Sequence, residues 1–200
     1  MTVQNHFART SVSTMTKPTF IPNFISLESE TVLQLLFDGV TWDERAGNRM
    51  ESFQSLDLTK TYSYGKADSI NRRTYSPSEM HPLVKDFLIK LNAHFETDYN
   101  ICVLNYYTDQ HNSLGWHADD SPEQDPDHPI CVISFGATRY IYTKVNGFKG
   151  KIPEEDMYLL TPGSLFIMPP GFQDTHQHKI PRHDIKCGPR VSMTYRKLDR

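Results

Sequence analysis

The chain has few cysteines, no long apolar run and a net charge close to zero. The three cysteines are Cys102, Cys131 and Cys187, and an odd number, with the first two in apolar surroundings, argues against a disulfide framework. No apolar run approaches the roughly 18 residues of a membrane span. These absences exclude a disulfide-stapled secreted scaffold and a membrane-spanning helix. We therefore expect a soluble monomer without membrane contacts in a reducing intracellular compartment, the cytoplasm or the nucleus.

The formal net charge is −3, which argues against indiscriminate binding of nucleic acids. The charge is distributed unevenly, however. Residues 119–127 hold five acids and no base, whereas residues 179–200 hold seven Lys or Arg against two Asp. The basic segment is either a set of solvated loops and a tail or a basic face that attracts a polyanion, and the sequence supports both interpretations.

The length of 200 residues predicts one catalytic domain. Residues 1–17 are polar, rich in Ser and Thr and free of acids, which predicts a disordered tail, and residues 18–200 are expected to form the single domain. One arginine in the tail, Arg9, is too few to favour a transit peptide.

The hydrophobic pattern predicts a mostly β protein with flanking helices. Ser26 is predicted to cap a helix over residues 28–37 that ends at Gly39, and a second helix extends from Pro82 to Phe95. Residues 40–77 lack a sustained period, which indicates short strands and loops. Six β-rich runs separated by turns then predict a sandwich or barrel, with the helices outside one jelly roll: residues 101–107, 130–135, 139–144, 157–160, 164–168 and 190–196.

The chemistry is indicated by a His-x-Asp triplet. In an extended segment His117 and Asp119 project to the same side, because side chains alternate between faces. Together with a distant second histidine, His178, they match the two-His, one-carboxylate triad that holds non-haem Fe(II) and leaves coordination positions open. His-x-Asp alone is a weak signal in a chain with nine His and 24 acids. With its surroundings, it predicts redox chemistry with dioxygen.

The last β-rich run has one polar face and one apolar face. Arg190, Ser192, Thr194 and Arg196 alternate with Val191, Met193 and Tyr195. The polar face is either a solvated outer surface or the lining of a pocket that binds a small dicarboxylate through charge-assisted contacts. The Cα atoms of the two arginines should be about 20 Å apart, so they either lean inward or serve different carboxylates.

These residues resemble the AlkB-type branch of the Fe(II)/2-oxoglutarate-dependent dioxygenases. The resemblance covers about residues 60–197 and includes residues 105–107, 116–120, 133–139 and 163–165, in the same order. It implies a double-stranded β-helix (jelly-roll) core over about residues 100–197. It also implies an N-terminal flap over about residues 40–77 that recognises the nucleotide.

The resemblance implies an iron site and a cosubstrate site. His176 competes with His178 for the third metal position. In relatives the ligand precedes an apolar-Pro pair and lies about a dozen residues before the first arginine of the last strand, which favours His178. The implied Fe(II) ligands are His117, Asp119 and His178. The implied 2-oxoglutarate contacts are Arg190 at the distal carboxylate, Arg196 at the other end, Asn105 and Tyr107 by hydrogen bonds, and Ser192, which stands where close relatives often have Asn.

The implied reaction uses Fe(II), 2-oxoglutarate and O2 to demethylate alkylated bases of DNA or RNA oxidatively, releasing formaldehyde, succinate and CO2. A base must leave its stack to reach the metal and is then held against aromatic faces. Tyr64 and Trp116 are the expected stacking partners. Arg72 and Arg73 are expected to hold phosphates, although an exposed pair of arginines is often without such a role.

One position departs from several repair enzymes of this family, and other functions stay open. Those enzymes carry an acid directly after the second Asp, where it favours a cationic methylated base, whereas this chain has Ser121. A 2-oxoglutarate-dependent hydroxylase of another modified base, a protein side chain or a small molecule is therefore the main alternative. A binding module or metallohydrolase that holds zinc with the same ligands is the third, and the arginine-bearing strand argues against it.

Overall fold

The computed structural model describes residues 15–45, 49–64 and 73–199. Three helices and fourteen strands are assigned in this part of the chain. The helices are α1 (Ser29–Gly39), α2 (Pro82–Phe95) and α3 (Phe172–Thr175), and a short 3-10 helix covers Glu154–Asp156. The strands are β1 (Thr19–Ile21), β2 (Asp43–Arg45), β3 (Arg49–Ser55), β4 (Tyr62–Tyr64), β5 (Arg73–Tyr75), β6 (Ser78–Glu79), β7 (Ile101–Tyr107), β8 (Leu114–His117), β9 (Ile130–Gly136), β10 (Arg139–Val145), β11 (Met157–Leu160), β12 (Ser164–Met168), β13 (His176–Ile180) and β14 (Arg190–Arg196).

The strands form a large sheet, a small sheet and a two-stranded ribbon. The large sheet has the order β1-β12-β9-β14-β7-β3-β2, with β6 paired to β3 in parallel. The small sheet has the order β11-β10-β13-β8, and β4 pairs with β5. Apart from the β3–β6 pair, the pairings of the named strands are antiparallel. The fold is the predicted mostly β jelly roll with flanking helices.

Three apolar clusters hold these layers together. Helices α1 and α2 pack on one face of the large sheet, where buried residues such as Leu36 and Leu91 meet Val191 and Met193 of β14. A second cluster lies between the two sheets and joins residues of β9 and β12 to residues of β10, β11 and β13. A third lies under the ribbon, around Phe53 and Tyr62. Since apolar burial is the main stabilising term in folding, the large sheet is fixed from both faces.

Both predicted long helices are present, but one cap is wrong. Helix α2 begins at Pro82 and ends at Phe95 as predicted, and the His81 ring accepts a hydrogen bond from the backbone N–H of Leu83 at 3.3 Å. Helix α1 ends at Gly39, but its N-cap residue is Glu28 instead of Ser26, without a side-chain cap. The first helical residue, Ser29, instead uses its hydroxyl in a tertiary contact, accepting a hydrogen bond from the N–H of Gly136 at 2.6 Å.

All six predicted β-rich runs are strands, and the structure adds three that the pattern did not indicate. The added strands are β1, β8 and β13. β13 has the sequence His-Gln-His-Lys-Ile, which is poor in β-branched residues and owes its strand state to pairing on both sides with β10 and β8. Context of this kind often overrides β-propensity.

The described residues of the range 40–77 include short strands, as predicted, but these strands pair differently. β3 is a full member of the large sheet, paired with β7 from Met50↔Tyr106 to Ser55↔Ile101. β4 and β5, by contrast, pair with each other. Residues 1–14 of the predicted tail lie outside the described residues. None of the helices in the described ranges is both long and apolar enough to cross a membrane.

Candidate active site

A cleft opens between the two sheets beside the ribbon. Polar groups line its centre, and Val103, Val132, Leu114, Ile141 and Ile180 form apolar walls. The remaining lining residues are Arg49, Glu51, Tyr62, Tyr64, Tyr75, Asn105, Tyr107, His117, Asp119, His178, Arg190, Ser192, Thr194 and Arg196. The small sheet contributes the two histidines, and the large sheet contributes the arginines.

His117, Asp119 and His178 meet in this cleft. His117 ends β8 and pairs directly with His178 of β13, and Asp119 follows two residues later. One nitrogen from each histidine and one carboxylate oxygen lie within 4.8 Å of one another. The Nε2 atoms of His117 and His178 are 3.6 Å and 3.7 Å from the Asp119 carboxylate oxygens. These two nitrogens and one oxygen are close enough together to bind one metal ion. Three ligands on one side of the ion leave its other coordination positions open.

A bulge in β8 aims His117 into the cleft. Leu114 pairs with Ile180 and His117 with His178, so β8 advances three residues where β13 advances two. The extra residue lets Leu114 and His117 both line the cleft, although their spacing would otherwise put them on opposite faces. The ring orientation is fixed further by a 2.8 Å contact between His117 Nδ1 and the carbonyl oxygen of Gly115, which leaves Nε2 as the metal-facing atom.

Both histidines are held in the neutral form that binds metals. Burial, together with the nearby His117 ring, lowers the pKa of His178 to about 3, although Asp119 opposes the shift. Burial also lowers the pKa of His117, against the opposing effect of Asp119. A neutral imidazole has a free lone pair, so protons should not compete with a metal near neutral pH.

Asp119 is held in the ionised form. Its carboxylate is almost fully buried, and Oδ2 pairs with Arg196 Nη2 at 2.7 Å. Burial alone would raise the pKa of Asp119, but the Arg196 guanidinium and the two imidazoles outweigh it and keep the pKa below its ordinary value. The backbone N–H of Asp119 donates to Gln173 Oε1 at 2.9 Å. The carboxylate is therefore charged and oriented before any metal arrives.

Arg190 lies at the other end of the polar face and has no counter-ion among the described residues. It is 1% exposed, and Nη2 donates to Ser134 Oγ at 2.9 Å. Its Nε and Nη1 have no hydrogen-bond partner within the part of the chain that the structure describes. The guanidinium lies 5.1 Å from the centre of the Tyr107 ring, and burial lowers its pKa. A buried cation of this kind is costly unless an anion binds it.

The backbone around Gly136 brings Arg190 to this position. Gly136 ends β9 with φ +88, and a Cβ there would come within 2.3 Å of the Pro189 carbonyl oxygen. That carbonyl accepts a hydrogen bond from the N–H of Ala137 at 2.8 Å. Only glycine permits this close approach, which fixes the residue directly before Arg190.

The other predicted cosubstrate residues surround the same space. β14 lies between β7 and β9, so Ser192 stands between Asn105 and Ser134 in the sheet. Tyr107 is buried, and the Oδ1 atom of Asn105 accepts a hydrogen bond from Arg49 Nε at 2.7 Å. The polar face of β14 is thus a pocket lining, and the alternative of a solvated outer face is wrong, since all seven residues of the strand are buried.

Arg196 is already bonded. Besides its ion pair with Asp119, its Nη1 donates to the hydroxyl of Tyr62, and its guanidinium lies 5.0 Å from the centre of the Tyr62 ring. Asp119 and the Tyr62 and Tyr64 hydroxyls outweigh burial and raise the pKa of Arg196. Its predicted contact with the cosubstrate stays a prediction.

The predicted substrate residues lie in different places. Tyr64 lines the mouth of the cleft, with its ring centre 5.9 Å from that of His117. Trp116 does not line the cleft. Its ring lies 4.5 Å and 4.8 Å from the Nζ atoms of Lys144 and Lys179, on the opposite face of β8. Arg72 lies outside the described residues.

Sequence reasoning missed a network beside the cosubstrate residues. Glu51, buried in β3, accepts a hydrogen bond from the Tyr75 hydroxyl at 2.7 Å and forms an ion pair with Arg49. Arg73, a predicted phosphate contact, lies 4.0 Å from Glu51 and 5.3 Å from the centre of the Tyr75 ring. The alternation Arg49-Met50-Glu51 was the available signal, because it places two opposite charges on one face of a strand.

His176 is not part of the metal-ligand group. Its ring stacks on Phe172 with centroids 4.5 Å apart, and Nδ1 lies 2.8 Å from the hydroxyl of Thr175. It therefore offers a control for experiments on His178.

Comparisons with known proteins agree with this geometry. The 2OG-Fe(II) oxygenase superfamily matches residues 20–196. The alpha-ketoglutarate-dependent dioxygenase alkB homolog 3 of Homo sapiens is 29% identical over 188 residues, which are 88% of this chain and 64% of that protein. The DNA oxidative demethylase ALKBH2 of Homo sapiens is 28% identical over 184 residues, 88% of this chain and 70% of that protein.

A solved structure of OsALKBH1 has the same fold, with a TM-score of 0.59 at 15% identity, and the alignment covers 90% of this chain and 96% of that chain. This chain spans 64% of the length of the alkB homolog 3 it matches. The superfamily match covers most of the chain and includes both histidines, the aspartate and both arginines of the cleft. The chain therefore belongs to the 2OG-Fe(II) oxygenase superfamily.

Proposed function

We propose that this protein is an Fe(II)/2-oxoglutarate-dependent dioxygenase that oxidatively demethylates alkylated bases of DNA or RNA. One observation carries the proposal: a single cleft joins a His-His-Asp group to a buried guanidinium that has no counter-ion in the described part of the chain. Further support comes from relatives named as an alpha-ketoglutarate-dependent dioxygenase and as a DNA oxidative demethylase.

In this proposal His117, Asp119 and His178 hold Fe(II). Two neutral nitrogens and one carboxylate suit this ion, and three ligands leave positions open for the cosubstrate and O2. When bound, iron couples decarboxylation of 2-oxoglutarate to succinate and CO2 with insertion of one oxygen atom of O2 into a C–H bond, and an N-hydroxymethyl product then releases formaldehyde. Arg196 holds the Asp119 carboxylate in place.

Arg190 is the proposed anchor of 2-oxoglutarate. Its unpartnered Nε and Nη1 atoms offer two donors to the distal carboxylate, as arginine forks commonly do. Asn105 and Tyr107 donate from β7, and Ser192 lies beside them on β14. The apolar walls of the cleft exclude water from the reacting atoms.

Tyr64 is the proposed contact for the target base. It lines both the cleft and the adjoining outer groove, which also includes His117, Asp120 and Gln177. A flipped base entering between them would meet an aromatic face. The position of Trp116 does not support contact with the target base, and the roles of Arg72 and Arg73 at phosphates stay predictions.

Two matched variants test the proposal. The wild type should release formaldehyde from methylated oligonucleotides only when Fe(II) and 2-oxoglutarate are both present. His178→Ala should abolish release and Fe(II) binding, whereas His176→Ala should retain both, because His176 lies outside the ligand group. Succinate formation that no nucleic acid stimulates would instead favour a hydroxylase of another substrate, the alternative that Ser121 keeps open.

We further infer that residues 18–200 act as one catalytic unit, and that the protein is a monomer in a reducing intracellular compartment. The thiols support the compartment: Cys102, Cys131 and Cys187 are all free, and the first two are buried. Burial raises the pKa of Cys131 to about 12, so the buried thiol is unreactive. Light scattering of the purified protein tests the oligomeric state.

A further inference from the structure

We propose that the alkylated base that enters this cleft is electrically neutral, an inference that rests on the proposed demethylase function. An alkyl group on an exocyclic amine, or on an imide-type ring nitrogen, leaves a base uncharged. An alkyl group on an imine-type ring nitrogen, such as N1 of adenine or N3 of cytosine, makes the base a cation at neutral pH. The two classes need different surroundings in a buried site.

The carboxylates that line the cleft already have cationic partners. Two of them, Asp119 and Glu51, line it in the described ranges. Asp119 pairs with Arg196 at 2.7 Å and faces both histidines. Glu51 forms an ion pair with Arg49, lies 4.0 Å from Arg73 and accepts a hydrogen bond from Tyr75. Neither acid can neutralise a cationic base without giving up an arginine.

Three of the four tyrosine rings that line the cleft already contact an arginine. Arg196 lies over Tyr62 at 5.0 Å and Arg73 over Tyr75 at 5.3 Å. Arg190 lies over Tyr107 at 5.1 Å. A cation–π contact is the other way in which a protein holds a cationic base, and on these three rings a guanidinium already makes it. The Tyr64 ring at the mouth can stack on a neutral base equally well.

The charges of the site that belong to described residues therefore sum to a positive value. Arg49, Arg190, Arg196 and the adjacent Arg73 oppose Asp119 and Glu51. Bound Fe(II) and 2-oxoglutarate carry charges of 2+ and 2−, which cancel each other. A cationic base would add a further positive charge to a largely buried site, where water screens repulsion poorly.

The acids at the rim do not change this balance. Asp120 and Asp174 line the outer groove but are exposed, so water and salt screen their charges. The residue that follows Asp120, Ser121, lines a different cavity and donates its hydroxyl hydrogen bond to Glu123. The position at which some relatives carry an acid is thus uncharged in this chain and directed away from the cleft.

Pairs of oligonucleotides that differ only in the position of one methyl group test the inference, because the position decides whether the base is charged at neutral pH. Single strands of one sequence would carry N6-methyladenine or 1-methyladenine, and N4-methylcytosine or 3-methylcytosine. We expect kcat/KM, measured by formaldehyde release at pH 7 with the holoenzyme, to be at least about tenfold higher for the neutral isomer of each pair. A tenfold ratio corresponds to about 1.4 kcal/mol. The Kd ratio, measured by anisotropy without O2, should show the same order.

Each result decides between two claims. A preference for the cationic isomers would overturn the neutral-base inference and leave the demethylase function standing. Failure to demethylate any of the four strands, by an enzyme that still converts 2-oxoglutarate to succinate, would overturn both. Demethylation of the cationic isomers that increases as rising pH deprotonates them supports the inference.

Two substitutions of Arg73 test whether electrostatic repulsion causes the preference for a neutral base. Arg73→Gln removes one positive charge beside Glu51, and Arg73→Lys keeps it. We expect the ratio of kcat/KM for the neutral isomer to kcat/KM for the cationic isomer to fall severalfold in the glutamine variant. The lysine variant should keep the wild-type ratio. Equal ratios in the two variants would contradict an electrostatic origin, even where both variants lose overall activity.

Discussion

The two ends of strand β14 carry arginines in opposite states. Arg196 is bonded to the Asp119 carboxylate and to the Tyr62 hydroxyl. Arg190, at the other end of the same polar face, donates to a serine hydroxyl and leaves two buried nitrogens without a partner in the described part of the chain. The two side chains have the same chemistry and nearly the same burial, so they differ in their partners alone.

This difference indicates that Arg196 stabilises the folded protein, whereas Arg190 binds a ligand. A buried arginine with its carboxylate in place stabilises the charge of that carboxylate, and removing one partner exposes the other to a desolvation penalty. A buried arginine without an anion lowers the stability of the empty protein and binds an incoming anion strongly. Substitutions at the two ends should therefore have opposite effects on stability.

The largest effect is expected at Arg196, and it concerns the stability of the protein. Arg196→Met leaves the Asp119 carboxylate buried and uncompensated, and should lower the free energy of unfolding of the metal-free protein by about 3–5 kcal/mol. Denaturant unfolding followed by circular dichroism measures it. Adding Mn²⁺ should recover part of the loss, because a cation then faces the carboxylate again. A variant as stable as the wild type without metal would show that the ion pair is unimportant.

The next largest effect is expected at Arg190, and it concerns the affinity for 2-oxoglutarate. Arg190→Met should weaken 2-oxoglutarate binding about 100-fold, or about 2.7 kcal/mol, because the distal carboxylate loses its charged partner. Calorimetric titration of the Mn²⁺-loaded protein measures this. Unlike Arg196→Met, the change should leave the melting temperature of the ligand-free protein equal or higher, since it removes a buried charge without a counter-ion. Equal losses of stability in Arg190→Met and Arg196→Met would show that both arginines stabilise the ligand-free protein, which contradicts the proposed difference between them.

A smaller effect is expected from the tyrosine that holds Arg196. Tyr62→Phe removes a hydroxyl that accepts a hydrogen bond from Arg196, and should cost about 1.5–2 kcal/mol of stability, since it leaves a buried charged donor unsatisfied. Tyr75→Phe is the matched control within the ribbon: its hydroxyl donates to Glu51, so it should leave the Arg196 environment unchanged. An unchanged unfolding midpoint for Tyr62→Phe would mean that Asp119 alone holds the arginine.

The smallest effect is expected midway along the strand. Ser192→Ala should weaken the affinity for 2-oxoglutarate by about two- to fivefold, because one neutral hydrogen bond contributes about 0.5–1 kcal/mol. Ser192→Asn, which installs the amide frequent in close relatives, should restore or increase affinity. A loss from Ser192→Ala as large as that from Arg190→Met would place the main cosubstrate contact at the centre of the strand.

The sequence alone predicts which side chains of a strand face the core and which face the cleft, because side chains alternate along a strand. β14 buries Val191, Met193 and Tyr195 among the core residues and turns its polar residues toward the cleft. The period of two in a β-strand specifies this division without further information. The predicted His117, Asp119 and His178 also meet in the cleft.

Other features depend on contacts between segments far apart in the chain. The face on which Trp116 lies depends on the register of β8 against β13, which no local pattern of β8 contains. The bond from Arg49 to Asn105 joins residues 56 positions apart. The strand state of β13 likewise results from its neighbours. Register and pairing are tertiary properties, and a single sequence indicates them only weakly.

The ribbon of β4 and β5 has a consequence for changing what the enzyme accepts. β14 is paired on both sides and packed on both faces, so a substitution on it disturbs core, metal site and cosubstrate pocket together. In the described chain the two ribbon strands pair only with each other, yet they carry Tyr64 and Tyr75 into the cleft. Tyr62 and Tyr75 are the exceptions, because their hydroxyls bond Arg196 and Glu51. Libraries confined to the other ribbon positions should therefore broaden substrate range while the catalytic centre stays intact, which makes these positions the natural starting point for directed evolution.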